Sequence, residues 1–183
     1  MKTDDKTLIA KVLIENDNHA FELLVKKYQS LIRRYFLHQT LDDEALSDDL
    51  AQDTFIKAYT NLAKFQSLSS FSTWLYRIAY NTLCDHIRKK EIMESYNKNI
   101  AANINIQVDD ISKDIEQKYD VFNALQILKE NERTCITLFY MEDLSLEIIS
   151  EITEMPQNTV KSHLTRGKTK MAEWLKNKGY GRN

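Results

Sequence analysis

Residues 144–175, LSLEIISEITEMPQNTVKSHLTRGKTKMAEWL, decide how the chain is read. In the first half, apolar residues recur at helical spacing, so Ile149 and Ile152 point inward and small Ser150 sits where a second helix crosses closely. Met155 fills a turn, and Pro156 suits the first turn of the next helix, where its missing N–H costs nothing. In the second half Val160, Leu164 and Met171 face inward. Gln157, Thr159, Lys161, Ser162, His163 and Arg166 are left outside. An acidic-faced helix, a tight turn and a basic helix match the helix-turn-helix, whose second helix enters the DNA major groove. The plainer alternative is an ordinary helical hairpin. The switch of charge across the turn favours DNA, since Lys, Arg, Ser, Gln and His suit phosphates and base edges.

Outside this segment the chain is helical by elimination. Its 183 residues hold three glycines (Gly167, Gly179, Gly181) and one proline (Pro156), so residues 1–155 contain neither. Sheets lean on both residues for their turns. The fold expected is all-α: two small helical domains joined by a flexible linker, the C-terminal one containing the helix-turn-helix. With 43% hydrophobic and 28% charged residues, the composition is that of a soluble globular protein.

Several classes fall away. The N-terminus, MKTDDKTLIAKVLIEN, carries acids where a signal peptide is basic and then apolar, and no apolar run reaches the length of a membrane span. A cytoplasmic chain without membrane insertion is expected. Cys84 and Cys135 have no metal-ligand spacing around them, and His19, His38, His86 and His163 are scattered, so neither a metal nor a cofactor is expected.

Charge is sorted into blocks. Residues 156–183 hold seven Lys/Arg against Glu173 alone, a net +6, so in a chain of −2 the first 155 residues carry −8. Residues 64–90 are +4, whereas 42–53 hold six acids and no base. Such blocks imply several surfaces with different partners.

Periodicity predicts helices over 4–16, from a cap at Asn18 onward (Phe21, Leu24, Val25, Tyr28, Ile32, Phe36), over 43–63, and from Phe71 to about Lys90. The Asn-rich interval that follows reads as a linker, with Ile104, Ile106 and Val108 alternating undecidedly between a strand and a docking segment. Val121, Leu125 and Leu128 suit one further helix, and Ile136, Leu138, Phe139 and Tyr140 another. The domains expected are thus 1–92, a linker over 93–112, and 113–183. On the fourth helix Arg77, Asn81 and Arg88 share a face among Phe71, Trp74, Tyr76 and Tyr80. Aromatics beside cations suit unstacked single-stranded bases, and an amide suits a base edge. An aromatic stripe is also, and more often, core.

Together the two halves resemble the extracytoplasmic-function sigma factors of bacterial RNA polymerase, in the sigma-70 family. Asp48–Phe55 (DDLAQDTF) is similar to the family's acidic polymerase-binding helix, Ser70–Asn81 (SFSTWLYRIAYN) to its promoter-melting segment, and Thr159–Ser162 (TVKS) lies where its upstream-element helix does. The resemblance implies a transcription initiation factor and not an enzyme. It implies that Asp48, Asp49, Gln52 and Asp53 contact the clamp of the largest subunit of core RNA polymerase. The loop Gln66–Phe71 would hold a flipped base of melted promoter DNA, with Ser70, Phe71, Trp74, Arg77, Asn81 and Arg88 at the downstream element. Lys161, Ser162, His163 and Arg166 would read the duplex upstream element, with Gln157, Asn158, Thr159 and Lys170 beside them. An anti-sigma factor is a further partner that the resemblance suggests.

The sequence departs from the family pattern in places. Glu154 and Asn158 stand where the family usually has Gly, His163 replaces a usual Arg, and Leu75 occupies the second place of a Trp pair, implying weaker melting and narrower promoter choice. Two other readings explain less. A stand-alone helix-turn-helix regulator accounts for 144–171 but not for the acidic helix. A nucleic-acid enzyme built on Asp49 and Asp53 lacks a third ligand.

Overall fold

The computed structural model describes residues 4–98 and 116–180; the alternating Ile104–Val108 segment and most of the expected linker lie outside them. All regular elements among the described residues are helical.

Short polar side chains set the helix starts. The Asp17 carboxylate accepts from the N–H groups of His19 and Ala20 and begins α2 (Asn18–Thr40). Asn18, the expected cap, is instead the first helical residue, because Asp17 before it supplies the cap; the Asn18 amide oxygen accepts from the Tyr59 hydroxyl at 2.8 Å. Before it, α1 (Asp5–Glu15) ends at Asn16 in the left-handed conformation. Asp43 caps α3 (Glu44–Thr60) through the N–H of Leu46. After a 3-10 turn at Leu62–Lys64, the Ser70 hydroxyl accepts from Thr73 N–H at the start of α4 (Phe71–Lys98). α4 thus runs eight residues past the expected end at Lys90. Its exposed positions Lys89–Glu91 hold good helix formers, which need no apolar stripe to stay helical.

α1–α4 share a core of Leu24, Ile32, Tyr35, Phe36, Leu62 and Leu75, each at most 1% exposed. Phe65, Phe71 and Trp74 form a ring cluster with centroids 5.3–5.7 Å apart.

The second half comprises α5 (Glu116–Gln126), α6 (Glu130–Ile136), a π-helical turn (Thr137–Met141), α7 (Leu146–Thr153) and α8 (Gln157–Asn177). Two expectations fail here. Val121 is exposed, because Phe122 takes the inward position and stacks on the His38 ring. Tyr140 is exposed too, because the helix loosens into the π turn at Thr137 and changes register. Ser145 caps α7 through Ile148 N–H, and α7 stops at Glu154 with φ 56°. The Ser150 hydroxyl then donates to the Met155 carbonyl at 2.6 Å and closes the turn. Pro156 immediately precedes α8 in extended conformation, one residue earlier than expected.

On α8, Gly167 is buried against α6, where a Cβ would lie 2.8 Å from Cγ1 of Ile136. Across the molecule α4 packs on α7, and α2 packs on α6 and the π turn.

Candidate nucleic-acid interface

α8 buries Val160, Leu164 and Gly167, and that narrow stripe fixes what is left outside. Gln157, Asn158, Lys161, Ser162 and Arg166 are exposed along its outer side, with Thr159 and His163 half-buried at its margin. Thr165, which the sequence reading omitted, joins Lys161, Ser162 and Arg166 around one shallow hollow. The Ser162 hydroxyl donates to the Asn158 carbonyl, and Arg166 Nε donates to the Ser162 carbonyl at 3.2 Å, so the guanidinium lies back along the helix. Burial, and the Arg166 cation after it, lower the His163 pKa, which favours a neutral imidazole. Lys170 is a different case. Its ammonium lies 2.7 Å from the Glu132 carboxylate, which is nearly buried on α6, so it ties α8 to α6.

The first turns of α4 hold the second group. Phe71 and Trp74 are 4% and 8% exposed, so the aromatics expected to meet bases belong to the core. Leu75 is fully buried beneath them. Ser70, bonded to Ser72 and Thr73 as well as capping the helix, is committed to the local structure. Arg77 and Asn81 do come together. They border a cleft of about 440 Å³ with Lys57 of α3, Asn61 just after it, Lys64 of the 3-10 turn, Trp74 and the Asp85 carboxylate. Arg88 stands further along and pairs with Asp85. Lys57 and Asn61 were missed by the sequence reading, because only the fold brings the end of α3 beside α4.

The third group is acidic. Arg33 on α2 lies 2.6 Å from Asp48 and 3.3 Å from Glu44, and Lys57 lies 3.0 Å from Asp53. The block without an internal base therefore draws cations from outside it. Among the described residues no ion pair reaches exposed Asp49. Asp48 and Gln52 border a groove of about 710 Å³ between α2 and α3, floored by Phe21, Val25, Ala51 and Phe55 and edged by exposed Ile56 and Tyr59.

An exposed polar and basic face on a helix after a capped turn, a cleft of cations and amides, and an apolar groove beside an acidic block suit a DNA-binding protein that also docks on another protein. Comparison with known proteins gives the class its family. Sigma-70 region 2 matches residues 24–91, and Sigma-70 region 4 matches residues 120–171. The ECF RNA polymerase sigma-E factor of Haemophilus influenzae is 32% identical, over 95% of this chain and 94% of its own. The ECF RNA polymerase sigma factor SigW of Bacillus subtilis is also 32% identical, over 91% and 94%. Among solved structures, the sigma factor RpoE of Bartonella quintana, in complex with the anti-sigma factor NepR, has a TM-score of 0.70 at 22% identity, covering 85% of this chain and 96% of that one. CnrH, in complex with the cytosolic domain of CnrY, has a TM-score of 0.70 at 20% identity, covering 94% and 97%.

The chain belongs to the sigma-70 family, among its ECF RNA polymerase sigma factors. It is a transcription initiation factor that directs core RNA polymerase to promoters, and not a catalyst. No helix among the described residues is long and apolar enough to cross a membrane.

Proposed function

We propose a division of labour within this sigma factor. The α2–α3 groove, lined by Asp48 and Gln52, takes the clamp of the largest polymerase subunit, with Asp49 and Asp53 of the same helix beside it. The cleft of Arg77 and Asn81 receives the melted downstream element, its Arg77 and Lys64 attracting phosphates while Lys57 pairs with Asp53 and Asp85. The outer side of α8, from Gln157 to Arg166, reads the upstream duplex. Lys170 supports that helix through Glu132 rather than reading bases. The units are 1–92 and 113–183, the protein works in the cytoplasm, and an anti-sigma factor is a natural competitor for the apolar groove.

One observation carries this reading. The exposed polar residues of α8 form a continuous row above a buried stripe, which is what a helix entering the major groove requires. Reconstituted transcription with core polymerase tests it in two arms. Arg166→Ala should weaken upstream-element binding by about 1–3 kcal/mol if the residue meets a base edge. Asp49→Lys with Asp53→Lys should abolish capture of core polymerase at unchanged helical content. Wild-type transcription from both variants refutes the assignment.

A further inference from the structure

The polar row of α8 is not uniform in what it offers DNA. The Ser162, Thr165 and Thr169 hydroxyls donate to the carbonyls of Asn158, Lys161 and Thr165, at 2.8, 2.9 and 3.0 Å. Their protons are spent on their own helix, so toward a base each offers only oxygen lone pairs. Lys161 and Arg166 offer donors alone, whatever surrounds them. His163 differs from all of these, because a neutral imidazole donates at either nitrogen and its neighbours decide which.

Here the deciding neighbour is Arg166, one helical turn on. Its Nη2 lies 3.4 Å from His163 Nδ1, and its Nε donates to the Ser162 carbonyl, which holds the guanidinium against the helix. A guanidinium has no acceptor, so Nδ1 is the acceptor and carries no proton. The ring is neutral, since burial first and Arg166 second lower its pKa, while Glu132 on α6 pulls the other way without overcoming them. The one ring proton therefore sits on Nε2, and among the described residues no hydrogen bond reaches that nitrogen. A half-buried ring with its other nitrogen engaged has few orientations left, so this N–H is set before DNA arrives.

We propose that His163 reads one purine of the upstream duplex by donating its Nε2–H to the purine N7, with Arg166 as the positioning residue that fixes the tautomer. N7 is an acceptor that guanine and adenine share in the major groove, whereas cytosine presents a donor there. The arginine that the family usually has at this place can grip guanine O6 and N7 together, but a single N–H does not tell the two purines apart. The contacted position should thus accept G or A and refuse C. The inference rests on the sigma-factor reading above and names the base edge that α8 recognises.

The test uses the full chain with core RNA polymerase on a promoter library randomised in the upstream element. Transcripts made with the wild type should show one position where G and A are interchangeable. In the duplex built from that selection, 7-deazaguanine or 7-deazaadenine, which carry C–H in place of N7, then replaces each purine in turn. One replacement should weaken wild-type binding about three- to tenfold, the worth of a single hydrogen bond, and leave His163→Ala unaffected. His163→Gln, which both donates and accepts, should narrow that position to adenine, and it decides if the alanine variant does not fold by circular dichroism. Imidazole nitrogen NMR of the full chain should place the His163 proton on Nε2, with the second tautomer entering in Arg166→Ala. The proposal is overturned by a proton on Nδ1 in the wild type, a tautomer unmoved in Arg166→Ala, thymine at the selected position, or deazapurines that cost both proteins equally. Core-dependent transcription from the library then still upholds the sigma-factor reading, whereas a library that this chain and core polymerase do not transcribe overturns both.

Discussion

α4 and α8 are both assigned to DNA, yet they dispose their residues in opposite ways. α8 buries only Val160, Leu164 and Gly167 and leaves Gln157, Asn158, Lys161, Ser162 and Arg166 in solvent. α4 opens with Phe71, Trp74, Leu75 and Tyr76 all buried, so its proposed nucleic-acid side is reduced to Arg77 and Asn81 beside Lys57 of α3 and Lys64 of the 3-10 turn. A large ring gains more from removal from water than from waiting for a base, so aromatics drift inward unless the fold holds them out. Polar residues facing away from a narrow apolar stripe have no such alternative. A recognition surface of polar side chains is thus preformed, whereas one of aromatics has to be uncovered.

Paired substitutions break this contrast most severely. Trp74→Ala should lose about 3–5 kcal/mol of stability, the usual cost of emptying a large core site. Asn81→Ala should change stability by less than about 0.5 kcal/mol, as exposed sites do, and should instead impair open-complex formation. Urea denaturation measures the first effect and permanganate reactivity of downstream thymines the second. A stable Trp74→Ala protein deficient only in melting would return the tryptophan to the DNA surface.

The two helices also differ in how legible they were. The helix-turn-helix could be read nearly to the residue, because Ile149, Ile152, Val160 and Leu164 fall on one apolar stripe and Met155-Pro156 breaks it locally. The aromatic run of α4 was ambiguous, since burial and base stacking select the same residue types. The acidic block was found, but not Arg33, fifteen residues before Asp48 and one helix away. The contact between the two halves, where buried Glu142 meets Arg34 of α2, left no sequence signal at all. Glu142 and Arg34 are 108 residues apart, and nothing local marks one surface glutamate as the one to be buried. The inward register of α5 was missed by one position because Val121 and Phe122 are both apolar, and only the His38 ring of α2 chooses between them.

A smaller effect sharpens the contrast within the helix-turn-helix itself. Glu154 and Asn158, the two departures from the family's glycines, prove unlike. Glu154 sits at φ 56°, a left-handed conformation that crowds its Cβ, whereas Asn158 lies in the first turn of α8 with helical backbone. Glu154→Gly should therefore stabilise by roughly 1 kcal/mol, and Asn158→Gly should destabilise slightly through added backbone freedom. Thermal melts should move in opposite directions, and a shared sign would show that the turn is not strained at Glu154.

The smallest effect is on acidity, and it falls where α2 meets the π turn. Burial holds the His38 pKa below its ordinary 6.5, and Arg34 lowers it further, while Glu142 and Asp42 pull it upward without overcoming the burial. In the unfolded chain that burial is gone. The folded form therefore binds fewer protons than the unfolded one, and linkage fixes the sign. Above the ordinary value His38 is neutral in both states and costs no stability. As pH falls below it, the unfolded chain takes up a proton that the folded form resists, and stability is lost. Urea denaturation should give a smaller stability at pH 5.5 than at pH 7.5, with His38→Gln, which cannot take up the proton, reducing the difference. If the loss with acid is identical in His38→Gln, a group other than this imidazole senses the pH.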